Sequence, residues 1–65
     1  MRILLENCVA GDCFELGRQT YNSGDHYHTV LWMQEALKRF HEEDVPTVAR
    51  EDILEYLAFS TYMQG

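Results

Sequence analysis

Three histidines, two cysteines and a row of aromatic rings are the side chains of this 65-residue chain that could carry chemistry. One cluster invites a metal, Asp25-His26-Tyr27-His28. Residues two apart on a helix point in different directions, and a helical two-histidine site wants a spacing of three or four. His26 and His28 are therefore not expected to chelate together. His28 is expected to be partly buried at a turn, His26 to lie on the surface, and His41 stands alone. Cys8 and Cys13 are awkwardly spaced for a mutual disulfide, which needs converging Cβ vectors. Without a second pair they do not make a zinc site. Cys13 reads as a small buried apolar residue, and Cys8 is undecided. The sequence holds no Gly-rich phosphate loop, nucleophile elbow or Cys–His pairing. No catalytic, metal-binding or cofactor-binding set is expected in the chain.

Binding is the chemistry that remains. Tyr21, Tyr56, Phe59 and Tyr62 are candidates, with Glu55 beside them. Tyr56, Phe59 and Tyr62 follow one another at i+3 steps, which aligns them along one side of a helix. The plain reading of such a stripe is core packing. Against it, Ile53, Leu54, Leu57, Ala58 and Thr61 already supply that helix with an inner face, leaving the aromatics as a second one. Tyrosine also suits a wet groove, because it joins an apolar ring to a hydroxyl. Stiff polyproline II peptides dock between such rings at low entropic cost, and tyrosine hydroxyls can donate to their unpaired carbonyls.

The elements that must position these residues are helical. Asn22-Ser23-Gly24-Asp25 is a cluster of turn formers between two apolar-periodic runs, the pattern of an αα-hairpin. The first helix is expected over about residues 10–23, with Cys13, Leu16, Gly17 and Thr20 on one face and a cap from Asn7 or Gly11-Asp12. The second is expected over 26–42, capped by Asp25. Its apolar stripe is Tyr27, Val30, Leu31, Met33, Leu37 and Phe40, and Glu35 pairs with Arg39. Pro46 breaks the pattern. Thr47 then reads as the cap of a third helix over about 48–64. Residues 1–11 read as an arm or helix extension, and 12–65 as one partial domain.

A weak internal repeat links the two parts. Leu16 matches Leu57, Gly17 matches Ala58, Tyr21 matches Tyr62 and Gly24 matches Gly65, each pair 41 residues apart. Tetratricopeptide repeats have a period of about 34 residues, and the link around Pro46 accounts for the surplus. Leu16, Gly17, Gly24, Asp25 and Ala36 also fall at tetratricopeptide-type offsets. In such an array first helices line the concave face, so Glu55, Phe59 and Tyr62 would face the concavity with Tyr56 at its edge. The expected fold is all-α, a helical hairpin plus a third helix of an incomplete right-handed superhelical array. The third helix would lack its covering partner, which suggests a piece of a longer protein, or self-association through that helix.

Composition narrows the partners. At 46% hydrophobic and 25% charged the chain is globular in type and not disordered. A formal net charge of -6 argues against nucleic acid, whose phosphates it would repel. No apolar run reaches the ~18 residues of a membrane span. Met1-Arg2-Ile3-Leu4-Leu5 is too short for a signal-peptide core. An acidic peptide ligand ranks last, since Arg18 is nearly the only cation on the concave side.

The runs DCFELGRQTY, GDHYHTVLWMQEALKRF and ILEYLAFSTYMQG resemble the peptide-substrate-binding domain of the collagen prolyl 4-hydroxylase α subunit, over about Asp12 to Gly65. The resemblance implies a five-helix tetratricopeptide-like module whose tyrosine-rich groove holds proline-rich procollagen in polyproline II form. It implies a parent procollagen-proline 4-dioxygenase of the endoplasmic reticulum lumen. There a separate catalytic domain uses Fe(II), 2-oxoglutarate and ascorbate, and the α subunit pairs with protein disulfide isomerase. Carried over by position, the family's groove tyrosines match Tyr21, Tyr56 and Tyr62. Phe59 stands where the family has a tyrosine, keeping the ring and losing the hydroxyl. Glu55 stands where it has an aspartate, keeping the charge on a longer arm. An arginine, an asparagine and a further tyrosine of later helices have no counterpart here, nor do the iron and 2-oxoglutarate ligands.

Overall fold

A computed structural model describes residues 9–64 and places most of them in three helices, α1 (Ala10–Asn22), α2 (His26–Glu42) and α3 (Arg50–Gln64). The all-α expectation holds, and α2 has the bounds that the periodicity predicts. Cys8, the Asn7 cap, most of the proposed N-terminal arm and Gly65 lie outside the described residues.

The turn between α1 and α2 follows from local chemistry. Gly24 has φ +83°, a left-handed conformation in which a Cβ would be strained. The chain closes α1 there, with Asp25 N–H donating to Thr20 O at 2.8 Å and Gly24 N–H to Tyr21 O at 3.0 Å. This pair of bonds satisfies carbonyls that a helix end otherwise leaves open. Asp25 then starts α2, its Oδ1 accepting from His28 N–H at 3.2 Å.

The hairpin is antiparallel, because its contacts pair ascending residues of α1 with descending ones of α2 and the link beyond. Near the turn, Thr20 Oγ1 lies 2.8 Å from Thr29 Oγ1. Thr29 is fully buried yet satisfied, since its hydroxyl also donates to Asp25 O at 2.9 Å. Midway, Gly17 lies tight against α2: a Cβ there would lie 3.0 Å from Trp32 Cβ and 2.7 Å from Met33 Cε.

The far end departs from expectation. Val9, not Gly11, precedes α1 and has no side-chain acceptor. The first backbone N–H groups of α1 are satisfied instead from three directions. Asp12 Oδ2 accepts from Val9 N–H at 3.4 Å, Glu43 Oε2 from Ala10 at 2.5 Å, and Thr47 Oγ1 from Gly11 at 2.8 Å. Thr47 is thus not the cap of α3, which begins at Arg50 with Ile53 N–H donating to Ala49 O. Pro46 lies in the non-helical link that follows α2, and this link brings Thr47 back to α1.

The core is Cys13, Met33, Ala36 and Ile53, surrounded by Phe14, Trp32, Leu37, Phe40, Val48, Tyr56 and Leu57. Cys13 is buried, as its residue type suggests. Two expected faces are corrected. Tyr27 and Leu31 of α2 point outward, 60% and 45% exposed, and Thr29, Met33 and Ala36 are the buried positions. On α3 the covered strip is Ile53, Tyr56, Leu57 and Ser60, while Ala58 and Thr61 are exposed. The cause is the packing of α3, which lies chiefly on α2 and meets α1 only at an edge. A helix covered by one neighbour buries a narrow i, i+3, i+4, i+7 strip.

Candidate functional site

The narrow contact of α3 turns Tyr56 inward and leaves the next ring, one turn on, half outside. Tyr56 packs on the core and meets Phe14 edge-to-face, centroids 5.3 Å apart and planes at 84°. Phe59 is 45% exposed and Tyr62 79%. The aromatic row therefore climbs out of the core along α3. It is not a second face separate from the packed one, as the sequence suggests, because its first ring belongs to the buried strip.

Tyr21, at the last turn of α1, joins the row to the hairpin. Its ring centroid lies 5.0 Å from Tyr56 at 76° and 5.7 Å from Phe59 at 62°. Edge-to-face pairs of this kind add about 0.5–1.5 kcal/mol each beyond area burial. Tyr21, Glu55, Tyr56 and Phe59 line a cleft of about 280 Å³. Four of the five residues singled out from the sequence thus share one cleft. Tyr62 stands outside its lining.

One ring beside this cleft was not anticipated. His26 packs edge-to-face on Tyr21 at 5.5 Å and 77°, and on Phe59 at 6.3 Å and 69°. The expected places of the two histidines are reversed. His26 is half-buried with Nδ1 enclosed, and His28 is exposed with Nδ1 2.7 Å from Asp25 Oδ2. The signal available in the sequence was position: His26 opens α2 directly after the tight turn that follows Tyr21.

The electrostatics of the cleft are acidic. Arg18, one turn before Tyr21, donates Nη2–H to Glu15 Oε2 at 2.5 Å and Nε–H to Glu15 Oε1 at 3.2 Å. The hydrogen bond to Arg18 holds the Glu15 carboxyl below its ordinary value, and desolvation opposes it. Glu55 faces the cleft without an ion-pair partner among the described residues. Such a cleft suits a neutral or basic ligand and disfavours an acidic one. A second cleft of about 270 Å³, lined by His28, Leu31, Trp32 and Glu35, has its acid paired to Arg39 at 2.8 Å. Among the described residues no group of three or more His, Cys, Asp or Glu side chains could hold a metal ion. The residues do not fit an iron site, so no step through iron is assigned to them.

Residues 10–65 match a family model described as the prolyl 4-hydroxylase peptide-substrate-binding domain. Prolyl 4-hydroxylase subunit alpha-1 of Caenorhabditis elegans is 60% identical over 56 residues, which are 86% of this chain and 10% of that protein. Subunit alpha-2 of the same organism is 52% identical over 62 residues, 94% and 12%. The alpha-1 subunit of Homo sapiens is 45% identical over 57 residues, 88% and 11%. The chain thus spans about a tenth of the length of these relatives.

Proposed function

The chain belongs to the prolyl 4-hydroxylase peptide-substrate-binding domain family, and from that premise we propose that it holds a proline-rich, collagen-like peptide in polyproline II form, without catalysing its reaction. The observation that carries the reading is the cleft of Tyr21, Glu55, Tyr56 and Phe59. Its rings offer edges and faces to prolines. The Tyr21 and Tyr56 hydroxyls can donate to carbonyls that a polyproline II helix leaves unpaired. Phe59 provides a ring alone, and Tyr62 extends the row beyond the cleft as a further contact for a long peptide.

In this reading the chain serves within an α subunit of a procollagen-proline 4-dioxygenase. Iron, 2-oxoglutarate and ascorbate act at another part of that protein. The endoplasmic reticulum lumen is the place of work and protein disulfide isomerase the companion subunit. Among the described residues no helix is long and apolar enough to cross a membrane.

The test is a calorimetric or NMR titration with a Pro-Pro-Gly repeat peptide. Saturable shifts at Tyr21, Tyr56 and Tyr62 are expected, and Tyr62→Ala should cost about 1–3 kcal/mol if that ring is an anchor. A peptide that moves none of these signals would remove the reading. A second reading, self-association through α3, is favoured by the exposure of Phe59, Tyr62 and Met63 on one helix. Light scattering across a concentration series separates them, since a monomer throughout excludes association.

A further inference from the structure

His26 offers a hydrogen-bond donor that no described residue uses. Its Nδ1 is buried and has no hydrogen-bond partner among the described residues. The imidazole is half-buried, and its Nε2 has neither a partner among the described residues nor a place among the buried unsatisfied atoms. Nε2 is therefore the open end of the ring. A neutral imidazole carries one proton. Placing it on Nδ1 would bury an N–H with no acceptor, which proteins avoid more strictly than an unfilled lone pair. The proton accordingly resides on Nε2.

That donor stands beside the aromatic cleft, because the ring packs on Tyr21 and Phe59 at once. The groups around it do not compete for it. Asp25, the cap of the same helix, accepts from His28 N–H and Nδ1. From α1 it faces the Tyr21 ring, and Arg18, one turn back, is held by Glu15. From α3 it faces the Phe59 ring, with Glu55 and Tyr56 further along the cleft.

Resting on the peptide reading above, we propose that His26 is a peptide-binding residue, donating Nε2–H to a backbone carbonyl of the extended chain that lies over Tyr21 and Phe59. The chemistry is complementary. A proline-rich peptide has few N–H groups and many unpaired carbonyls, so donors are what its site must supply. Phe59 supplies none, and His26 stands next to it. The ring thus contributes an aromatic wall and a donor from the turn side of the cleft.

The experiment uses the full chain and a Pro-Pro-Gly repeat peptide. His26→Phe keeps a ring and removes the donor, and should weaken binding about three- to tenfold. His26→Ala also removes the wall and should weaken it further. In parallel, the parent chain with 15N-labelled histidine reports each ring nitrogen directly. At a pH where the ring is neutral, the free chain should show Nδ1 unprotonated and Nε2 protonated, and the Nε2–H signal should shift and exchange more slowly when peptide is added. Affinity unchanged in His26→Phe, or an Nε2 signal unmoved at saturation, overturns the role of His26 and leaves the peptide reading standing. Absence of saturable binding by the parent chain overturns both.

Discussion

A tyrosine that touches two other cleft rings and a histidine, as Tyr21 does, carries stability and recognition in one side chain, and substitution can separate them. Tyr21→Phe keeps the edge-to-face contacts. Its stability by chemical denaturation should change by less than about 0.5 kcal/mol, while peptide affinity falls through the lost hydroxyl. Tyr21→Ala removes the ring and should cost about 1–3 kcal/mol of stability by chemical denaturation. Equal affinity for the phenylalanine variant would exclude a role for the Tyr21 hydroxyl and leave its ring as the only contact. Gly17 makes the opposite case, a residue whose lack of a side chain is the requirement. Alanine is the better helix former by about 1 kcal/mol, yet its Cβ would meet Trp32 Cβ at 3.0 Å. Trp32 Cβ is tied to the backbone and cannot swing aside, so Gly17→Ala should lower stability, by about 1–3 kcal/mol. A raised melting temperature would show that the two helices can part at little cost. Residue identity was a good guide to Cys13 and Gly17. It was a poor one to His26, because a histidine beside a turn reads the same whether its ring faces water or packs on rings of two other helices.

Each helix is held at its ends by different means, and the elements answer to different tests. Thr47 and Glu43 cap α1 across the chain, from 36 and 33 residues away. Thr47→Ala should therefore destabilise α1, by about 0.5–2 kcal/mol, with faster amide exchange at its first turn and little change at the start of α3. Loss of protection at the start of α3 would reinstate Thr47 as that helix's cap. The start of α2 depends on an ionised Asp25. Its bond from the His28 backbone N–H holds the Asp25 carboxyl below its ordinary value, the side-chain contact with His28 adding to this against desolvation. The folded state therefore binds a proton less readily than the unfolded one. The stabilisation is complete above the unfolded value, and it is lost as pH falls through the lower folded value. Denaturation curves taken below the usual carboxylate range should show this loss, and Asp25→Asn should flatten it in part, since Glu15 is shifted in the same direction. An unchanged slope in Asp25→Asn would mean that the cap does not depend on charge.

At the scale of the molecule, the net charge of -6 and Glu55, which has no ion-pair partner among the described residues, predict how salt acts on binding. A neutral Pro-Pro-Gly repeat should bind with little dependence on ionic strength. The same repeat carrying arginines should bind more tightly at low salt and lose that advantage above about 0.15 M. A neutral peptide released by salt would point to an ionic mode in place of ring stacking. The sequence by itself determined the helices, the hairpin turn and the identity of four cleft residues. The helices and the turn rest on interactions within a few residues, a glycine at positive φ and an aspartate over a helix start, and the four cleft residues on an i+3 row of rings and the 41-residue repeat that sets Tyr21 against Tyr62. The tertiary structure alone decided which of those rings are buried, where Thr47 caps, and that His26 joins the cluster. These depend on how α3 crosses the hairpin and how the link returns to α1, contacts between residues far apart in the chain that no local spacing encodes.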